Sequence, residues 1–307
     1  MLKYYVKRSG GEEYQAVTSR PDDNVWVHGD SVNEADLREL SHAYGMNYNI
    51  LHDVMDTNEL PRVEQQEGGL YVFVRTARRG KHGLVLTAPL LMVVKEKVFA
   101  SLSYEVISDR KLTTPAAASQ QAIDTVGLLL GTFAAVVSEY EGLMQRTARY
   151  IHDTARRLRT HEVTNDDFIQ FVTVEDNLND YKANLNGMLV VAQRLKETLE
   201  GGPDMEAVED ILLYIRQLLV AIDSHNQSIT SIRNAYGTIA NNVLNQRMKT
   251  LTVLTVLIAL PNVFFGMYGM NVALPFQDQP WVYAGITSFS IIVIILVFMI
   301  ARKRGIF

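Results

Sequence analysis

The chain contains no cysteine, which excludes disulfide bonds, thiolate nucleophiles and zinc–cysteine sites, and which is typical of proteins in a reducing compartment. It also lacks a His-x-x-x-His pair and a Gly-x-x-x-x-Gly-Lys-Ser/Thr loop, the usual motifs of zinc hydrolases and of phosphate-binding loops. Basic residues are scattered and the net charge is −5, which argues against nucleic acid as a partner. The residues from Met1 to Gly11 do not resemble a secretory signal peptide. We therefore expect neither an enzyme nor an organic cofactor.

Charge is also absent from two long segments near the C-terminus, Leu251–Met267 and Trp281–Ala301. A helix needs about 20 predominantly apolar residues to cross the hydrocarbon core of a bilayer. Uncharged runs of this length are rare in the cores of soluble proteins, so two buried core helices are the weaker interpretation. The sequence predicts a first transmembrane span at 251–270, an outer loop at 271–280 and a second span at 281–301.

Basic residues flank the two predicted spans on one side only. Lys249 precedes the first span, and Arg302, Lys303 and Arg304 follow the second. By the positive-inside rule both termini are cytoplasmic, and the protein is a two-pass protein of the plasma (inner) membrane. A basic collar around the inner mouth of a pore is a further interpretation of Arg302, Lys303 and Arg304. In the outer loop, Asp278 is the one acidic residue.

The part of the chain before the membrane is predicted to be α/β at first and then helical. Short apolar runs at Val25–His28, Leu70–Val74, Leu84–Val94 and Val98–Ser103 are typical of strands, and Gly80 and Gly83 indicate a hairpin. The chain has 8 prolines, and none lies between Pro115 and Pro203 or between Pro203 and Pro261. The predicted segments are an α/β domain at 1–112, a helical hairpin at 113–202 (helices at about 117–160 and 164–200), the start of a long helix at 203–250, the two spans with their loop, and a basic tail at 302–307.

Two local details of the first domain can be predicted. Ser31 and Glu34 have the spacing of a capping box, which would begin an amphipathic helix with Leu37 and Leu40 on one face. A second short helix is expected at Ile50–Met55.

The long helix contains a heptad pattern with inverted polarity. In an ordinary coiled coil the positions spaced alternately four and three residues apart carry Leu, Ile or Val. Here they are mostly small, polar and uncharged, and apolar residues such as Ile229, Ile232 and Leu251 lie beside them. Helices that packed through these flanks would form a ring around water. We name this stripe the polar seam; it consists of Ser224, Gln227, Ser231, Asn234, Thr238, Asn241, Asn245, Met248, Thr252, Thr255, Ala259, Asn262 and Gly266.

The sequence Tyr268-Gly269-Met270-Asn271, which lies between the two predicted spans, resembles the signature of the CorA family of magnesium channels. The stretch that enters the first span, from Asn245 to Thr252, and the positions of Pro261 and Gly266 are also similar to that family. The resemblance implies a funnel-shaped homopentamer with an α/β cytoplasmic domain, long helices and two transmembrane helices. It further implies that the following residues line a pore through the bilayer: Asn245, Met248, Leu251, Thr252, Thr255, Ala259, Asn262 and Gly266.

The resemblance also assigns roles along this pore. Met248 and Leu251 would form a hydrophobic constriction, which closes a pore to a hydrated ion by dewetting. The segment Gly269, Met270 and Asn271 would form the selectivity and ion-entry site. Mg²⁺ gives up its water molecules reluctantly, and a ring of Asn271 amide oxygens accepts hydrogen bonds from those water molecules without replacing them. Gly269 is expected to permit the turn that directs Asn271 to the axis.

The acidic residues Glu206, Glu209 and Asp210 begin the long helix. The resemblance implies a regulatory Mg²⁺ site between protomers at this point, whereas the helix dipole alone also favours acids in a first turn. Thr252 and Thr255 likewise have an alternative role, which is to bond their own backbone or a neighbouring helix. The function that the sequence favours is a potential-driven Mg²⁺ channel. The alternatives are a Zn²⁺, Co²⁺ or Ni²⁺ transporter of the same superfamily and a membrane-anchored coiled-coil scaffold.

Overall fold

The computed structural model describes residues 2–7, 14–21, 24–80, 83–106, 124–159, 165–270, 276 and 279–303. The chain divides into two compact units, Met1–Ile232 and Arg233–Phe307. The first unit contains a seven-stranded sheet in the order β2-β1-β3-β7-β6-β5-β4. The strands are β1 (Leu2–Lys7), β2 (Tyr14–Val17), β3 (Val25–Asp30), β4 (Arg62–Gln66), β5 (Gly69–Arg79), β6 (Val85–Lys95) and β7 (Val98–Ser103).

Neighbouring strands are antiparallel except at the centre, where β3 and β7 are parallel. Side chains alternate between the two faces of a strand, so a sheet covered on both faces needs apolar residues at every position. The central strands meet that need. Trp26 and Phe99 belong to the core on one face, and Val27 and Ala100 belong to the core on the other.

Helices cover both faces of this sheet. One face is covered by α1 (Glu34–Tyr44), α2 (Tyr48–His52) and a 3₁₀ turn at Asp53–Met55, and the buried Leu37 and Leu40 of α1 belong to that core, as predicted. The other face is covered by α3 (Thr125–Arg159), α4 (Asn165–Thr198) and the first part of α5 (Met205–Tyr268). The segments predicted as an α/β domain at 1–112 and a helical hairpin at 113–202 therefore share one core.

The predicted strands at Val25, Leu70, Leu84 and Val98 and the hairpin between Gly80 and Gly83 are confirmed within a few residues. The strands β1, β2 and β4 were not predicted. They lie towards the two ends of the sheet, where β2 and β4 are edge strands. An edge strand is half exposed, so its residues need not show a sustained apolar pattern, and β4 (Arg62–Gln66) carries polar side chains at most positions.

The predicted capping box at Ser31 and Glu34 is wrong by two residues. The N-cap of α1 is Asn33, whose side chain accepts a hydrogen bond from the Asp36 backbone N–H at 3.0 Å, while the Asp36 carboxylate accepts one from the Asn33 N–H at 3.2 Å. Ser31 has a left-handed backbone conformation with φ of 52° and turns the chain at the end of β3. Asn33 and Asp36 form the same reciprocal pair of hydrogen bonds that Ser and Glu form in the usual capping box. Because the chain turns at Ser31, the helix begins two residues later than predicted.

The long helices begin and end close to their predicted positions. The predicted helix at about 117–160 corresponds to α3, although residues 117–123 and 160 lie outside the described part of the chain. The helix α5 is continuous over 64 residues, including Pro261, which at 1.5 Å per residue makes it about 96 Å long. The last helix, α6, spans Trp281–Lys303. Both of the predicted membrane segments are therefore helical.

Candidate ion pathway

The uncharged end of α5 packs against α6 along one side. The ring of Phe264 lies 5.3 Å from the ring of Phe289, centroid to centroid, in an edge-to-face arrangement. Residues of α5 that are partly covered recur every three or four positions, which is the period of one helix face. They are Thr250, Val253, Leu257, Leu260, Pro261 and Phe264. This side of α5 is therefore the face that is directed towards its own chain.

The polar seam lies on the opposite side of α5. Every member of the seam from Asn234 to Gly266 is exposed in the single chain. At about 100° of rotation per residue, the seam is centred about 180° from the face that packs against α6. In the first unit the same relation holds, since Ser224, Gln227 and Ser231 are exposed and lie opposite the buried Ile222 and Ile229. One continuous stripe of α5 is thus left uncovered by its own chain.

The apolar residues expected to flank the seam divide into two groups. Ile229 and Ile232 are buried in the core of the first unit, so they are covered by their own chain and are not available to pack against a second α5. Val243, Leu244 and Leu251 are exposed and remain available for such packing. The expectation that all of these residues serve contacts between helices is therefore wrong for Ile229 and Ile232.

Hydroxyl groups along the seam donate to the backbone of their own helix. Thr252 Oγ1 donates to the Met248 carbonyl at 2.8 Å and Thr255 Oγ1 to the Leu251 carbonyl at 2.9 Å, while Thr238 does the same one helical turn back, to Asn234. The hydroxyl groups of Thr252 and Thr255 thus donate to their own helix backbone, as the alternative interpretation of these two residues proposed. Their oxygen atoms keep lone pairs, and these exposed side chains can accept hydrogen bonds from water.

The two residues of the predicted hydrophobic constriction, Met248 and Leu251, are both more than half exposed. Met248 lies on the centre line of the seam, and Leu251 lies about 60° to one side of it. Met248 and Leu251 thus place two large apolar side chains beside each other on or near a stripe whose other members are small or polar. Farther along the seam, Ala259 and Gly266 carry no polar group, and a Cβ atom added to Gly266 would meet no atom of the chain within 4 Å.

The turn after α5 contains the first two residues of the predicted ion-entry segment. The Gly269 N–H donates to the Phe265 carbonyl at 3.0 Å and the Met270 N–H to the Met267 carbonyl at 3.2 Å. Gly269 does not have a left-handed backbone conformation, and an added Cβ would reach only ordinary contact, 3.4 Å from the Phe265 oxygen. The conformational reason expected for Gly269 is therefore wrong. Asn271 and Asp278 lie outside the described residues.

The predicted regulatory acids lie on the first two turns of α5 and are exposed. Glu209 forms an ion pair with Lys196 of α4 at 2.6 Å, whereas Glu206 and Asp210 point to solvent. Among the described residues, no group of three or more His, Asp or Glu side chains is placed to hold a metal ion.

The basic residues at the end of α6 are placed as predicted up to Lys303. Arg302 and Lys303 form the last turn of the helix and are exposed, and Arg304 lies outside the described residues. Cationic side chains in the last turn interact favourably with the helix dipole in addition to any role in topology.

The exposed stripe of α5 extends farther towards the N-terminus than the sequence interpretation proposed. Continuing the same alternation of four and three residues back from Ser224 reaches Val220, Gln217, Leu213 and Asp210, and all of them are exposed. Val220 is 70% exposed and Leu213 is 56% exposed, which is unusual for large apolar side chains. Beyond Ser224 apolar residues thus alternate with polar ones along the stripe, and the unbroken spacing in the sequence was the signal that could have revealed this extension.

Comparison with known proteins places this geometry in a family. The family model described as "CorA-like Mg2+ transporter protein" matches residues 21–303. A curated relative, the cobalt/magnesium transport protein CorA of Methanocaldococcus jannaschii, is 23% identical over 297 residues, which cover 92% of this chain and 90% of the relative.

Solved structures share the fold over nearly the whole chain. The complete structure of the CorA magnesium transporter from Methanocaldococcus jannaschii has a TM-score of 0.84 at 19% identity and covers 100% of this chain and 99% of that one. The structure of the full-length CmaX protein has a TM-score of 0.73 at 14% identity, with 96% of each chain covered. Since the family model spans both the α/β unit and the two C-terminal helices, the chain belongs to the CorA-like Mg²⁺ transporter family.

Proposed function

We propose that this protein is a homopentameric channel that conducts hydrated Mg²⁺ across the plasma membrane, driven by the membrane potential. The observation that carries the proposal is the exposed polar stripe of α5, which lies opposite the face that packs against α6. None of the most apolar stretch of α5 is buried within the chain. Polar groups that face lipid are costly, so a stripe of this kind inside a bilayer has to face water or other protein.

A ring of α5 helices satisfies both requirements. The stripe would line a water-filled axis, the exposed apolar flanks such as Leu254 and Ile258 would contact neighbouring helices, and α6 would face lipid on the outside. Near the start of α5, Val220 and Leu213 would make an apolar contact around the same axis. The stripe by itself supports a ring of helices around water, and the number of five protomers comes from the family resemblance.

The ion preference rests on the segment Gly269, Met270 and Asn271 at the end of α5. Five Asn271 amide oxygens would hold the ion through its water molecules, which avoids the cost of dehydrating Mg²⁺. The membrane potential supplies about 4.6 kcal/mol for two charges per 100 mV, so inward flux needs no nucleotide site. Co²⁺ is the second candidate, because the curated relative is named a cobalt/magnesium transport protein.

The test of this function is ion flux into proteoliposomes. The purified chain should transport Mg²⁺ when the membrane potential is negative inside, and Asn271→Ala should reduce that flux at least about a hundred-fold while the pentamer stays intact. The variant should keep its oligomeric mass because the residue is expected at a solvated pore mouth. Ile295→Leu, a conservative substitution on α6 and outside the polar seam and the ion-entry segment, is the control. If Asn271→Ala transports Mg²⁺ at the original rate, the Asn271 ring does not select the ion.

Two-pass topology with both termini in the cytoplasm follows from the basic residues at Arg302, Lys303 and Arg304. The chain has no cysteine, so single cysteines give a clean test. Asp278→Cys in the outer loop should react with an impermeant maleimide added to intact cells, and Gly305→Cys should react only after the cells are opened. The reverse pattern of labelling would contradict the topology.

Regulation by cytoplasmic Mg²⁺ is the last part of the proposal. Asp210 lies on the same exposed stripe as the pore-lining residues, and Glu206 and Glu209 lie nearby, so acids of adjacent protomers would approach one another around the axis. Bound Mg²⁺ would neutralise this ring and hold the protomers together. In the same flux assay, Mg²⁺ on the cytoplasmic side should slow transport, and Asp210→Ala should lessen that inhibition. Equal inhibition of both proteins would leave only the helix-dipole role for these acids.

A further inference from the structure

A concave site lies in the first unit, beside the adjoining ends of β5 and β6. Its cavity measures about 710 Å³, which lies within the range of roughly 300–1,000 Å³ that is usual for small-molecule sites. It lies between the hairpin and the helices α3 and α4, far along the chain from the polar seam. Its polar walls are formed by Arg79 of β5, by Arg146 and Thr147 of α3, and by Gln170 and Thr173 of α4.

The part of the hairpin that adjoins Arg79 is held against α4 by the buried amide of Asn177. The Asn177 side chain of α4 accepts a hydrogen bond from the Val85 N–H at 2.9 Å and donates one to the Gly83 carbonyl at 2.8 Å. Both polar atoms of Asn177 are thus used to hold the hairpin against α4. Arg79 pairs with Val85 in the β5–β6 register, so its backbone position is set by the same anchor.

The charged residues that line this cavity, among those that the structure describes, are of one sign. Arg79 and Arg146 line it, and no described acidic residue does. Asp180 is next to Tyr181 in sequence but does not line the cavity. Two other arginines on the same elements have acidic partners: Arg78 pairs with Glu105 at 2.7 Å and Arg157 pairs with Asp167 at 2.5 Å. Within the described part of the chain, neither Arg79 nor Arg146 forms an ion pair.

The rest of the lining suits an organic group. Val85, Leu143 and Val174 contribute apolar surface, and the ring of Tyr150 lies beside them. The Tyr150 hydroxyl donates to the Asp167 carbonyl, so its ring is held in one orientation. The cavity therefore combines two guanidinium groups and three uncharged polar side chains with an apolar wall. In a protein whose net charge is −5, such a local excess of positive charge distinguishes this site from the rest of the chain.

We infer that this cavity binds a small phosphate-bearing molecule of about the size of a mononucleotide. A phosphate monoester carries about −1.5 to −2 charges at pH 7 and three acceptor oxygens, which match two arginines and the donors of Gln170, Thr147 and Thr173. A guanidinium group binds such oxygens with two parallel hydrogen bonds. A carboxylate has one charge and two oxygens and would leave part of this set without a partner.

The test is equilibrium binding to the full chain purified in detergent, in buffer without divalent ions, so that the result does not depend on ion transport. The probes are AMP, inorganic phosphate and adenosine, and binding is followed by calorimetry. AMP should bind saturably at one site per chain, and adenosine should bind at least about ten-fold more weakly. Arg79→Gln and Arg146→Gln should each weaken AMP binding at least about ten-fold, because each removes charge-assisted hydrogen bonds.

Arg156→Gln is the matched control, since Arg156 is an exposed arginine of the same helix α3 that pairs with Asp153. It should leave AMP binding unchanged, and the thermal unfolding of all three variants should match that of the parent chain. Inorganic phosphate binding as tightly as AMP would identify free phosphate as the ligand of the same two arginines. The inference is overturned if neither AMP nor phosphate saturates a site, if adenosine binds as well as AMP, or if the two arginine variants bind as tightly as the control.

Discussion

The helices α3 and α5 both contain a stretch long and apolar enough to cross a membrane, yet the structure uses them differently. In α3, 44% of that stretch is buried, because Leu129, Phe133 and Val136 pack on the sheet. In α5 none of it is buried. Hydropathy alone therefore does not distinguish a core helix from a membrane helix. The extent of the complementary apolar surface in the same chain distinguishes them: the sheet buries much of α3, whereas among the described residues α6 covers only one side of α5.

Polar groups follow the same division. In the first unit, several buried polar side chains have partners within the chain, and Arg75, for example, donates to the Thr57 and Glu59 carbonyls. By contrast, His28 Nε2 and Thr132 Oγ1 have no hydrogen-bond partner among the described residues. In the second unit, polar side chains lie on the face of α5 that the described residues of the chain leave exposed. The interior of the first unit is thus formed by its own residues, whereas this face of α5 is the one that the proposed ring of helices would cover.

The largest expected effect comes from removing an apolar side chain that α3 places on the sheet. Phe133 is fully buried, and Phe133→Ala should lower the free energy of unfolding of the first unit by about 3–5 kcal/mol, because it removes buried area and leaves a cavity. Urea unfolding measured by the fluorescence of Trp26, which is also fully buried, reports on this unit. The background should carry Trp281→Phe, so that the signal has one source.

Phe265→Ala in α5 is the matched control for this measurement. Phe265 is 43% exposed in the single chain and belongs to the second unit. It should leave the Trp26 transition unchanged within about 0.5 kcal/mol, as expected of a site outside that core. A similar loss for both variants would mean that the two units unfold together and that the comparison between α3 and α5 does not hold.

The next effect tests the interior of the first unit through its pH dependence. Burial lowers the pKa of His28 to about 4, and Nε2 of its ring has no hydrogen-bond partner among the described residues. The folded protein therefore holds His28 neutral at a pH where the unfolded chain, with a pKa near 6.5, takes up a proton. Stability should be complete above about pH 6.5 and should fall by roughly 3 kcal/mol in total as the pH drops towards 4.

His28→Gln should remove this part of the pH dependence, measured as the difference in unfolding free energy between pH 7 and pH 4.5. His52→Gln, on the exposed side of α2, should keep the slope of the parent protein. Carboxylates that titrate in the same range contribute equally to all three proteins, so the difference between variants isolates the histidine. If His28→Gln has the parent slope, His28 is not held neutral by the core.

The smallest effect tests the exposed face of α5. Asn262→Leu replaces a seam amide with an apolar group of similar size, and it should lower Mg²⁺ flux about ten-fold, because an apolar ring excludes water from a narrow pore. Ile258→Leu, one turn away on an apolar flank and 60% exposed, should have little effect. The measurement is the same flux assay in proteoliposomes. Equal flux in both variants would mean that the seam does not line the pathway.

The sequence predicted the central strands and the long helices because their residues have strong local patterns. Val98–Ser103 is a run of apolar and small residues, and α5 contains one proline in 64 residues. The edge strands β2 and β4 were missed because their partners in the sheet, and not their own residues, determine their conformation. The cap of α1 was placed two residues early because the left-handed turn at Ser31 has no counterpart in the local sequence pattern.

The candidate pathway was predicted in its register but not in all of its contacts. The alternating spacing identified the stripe from Ser224 to Gly266, and every member of it is exposed. The extension to Val220 and Leu213 was missed because these residues are apolar, and apolar residues in a helix are ordinarily assigned to the core. The burial of Ile229 and Ile232 could not be predicted either, since it depends on which face of α5 the helices of the first unit cover.

The sequence by itself determined that this chain has an α/β domain, long helices, two segments apolar enough for a membrane and a polar stripe along one of them. Composition and periodicity are local properties, so they can be determined from the sequence without knowledge of the fold. The tertiary structure decided which apolar helix is covered, which arginines have partners and which face of α5 is left uncovered. Those outcomes depend on contacts between residues far apart in sequence, such as the hydrogen bond from Asn177 to Gly83. The free energy of such contacts cannot be read from a local sequence pattern.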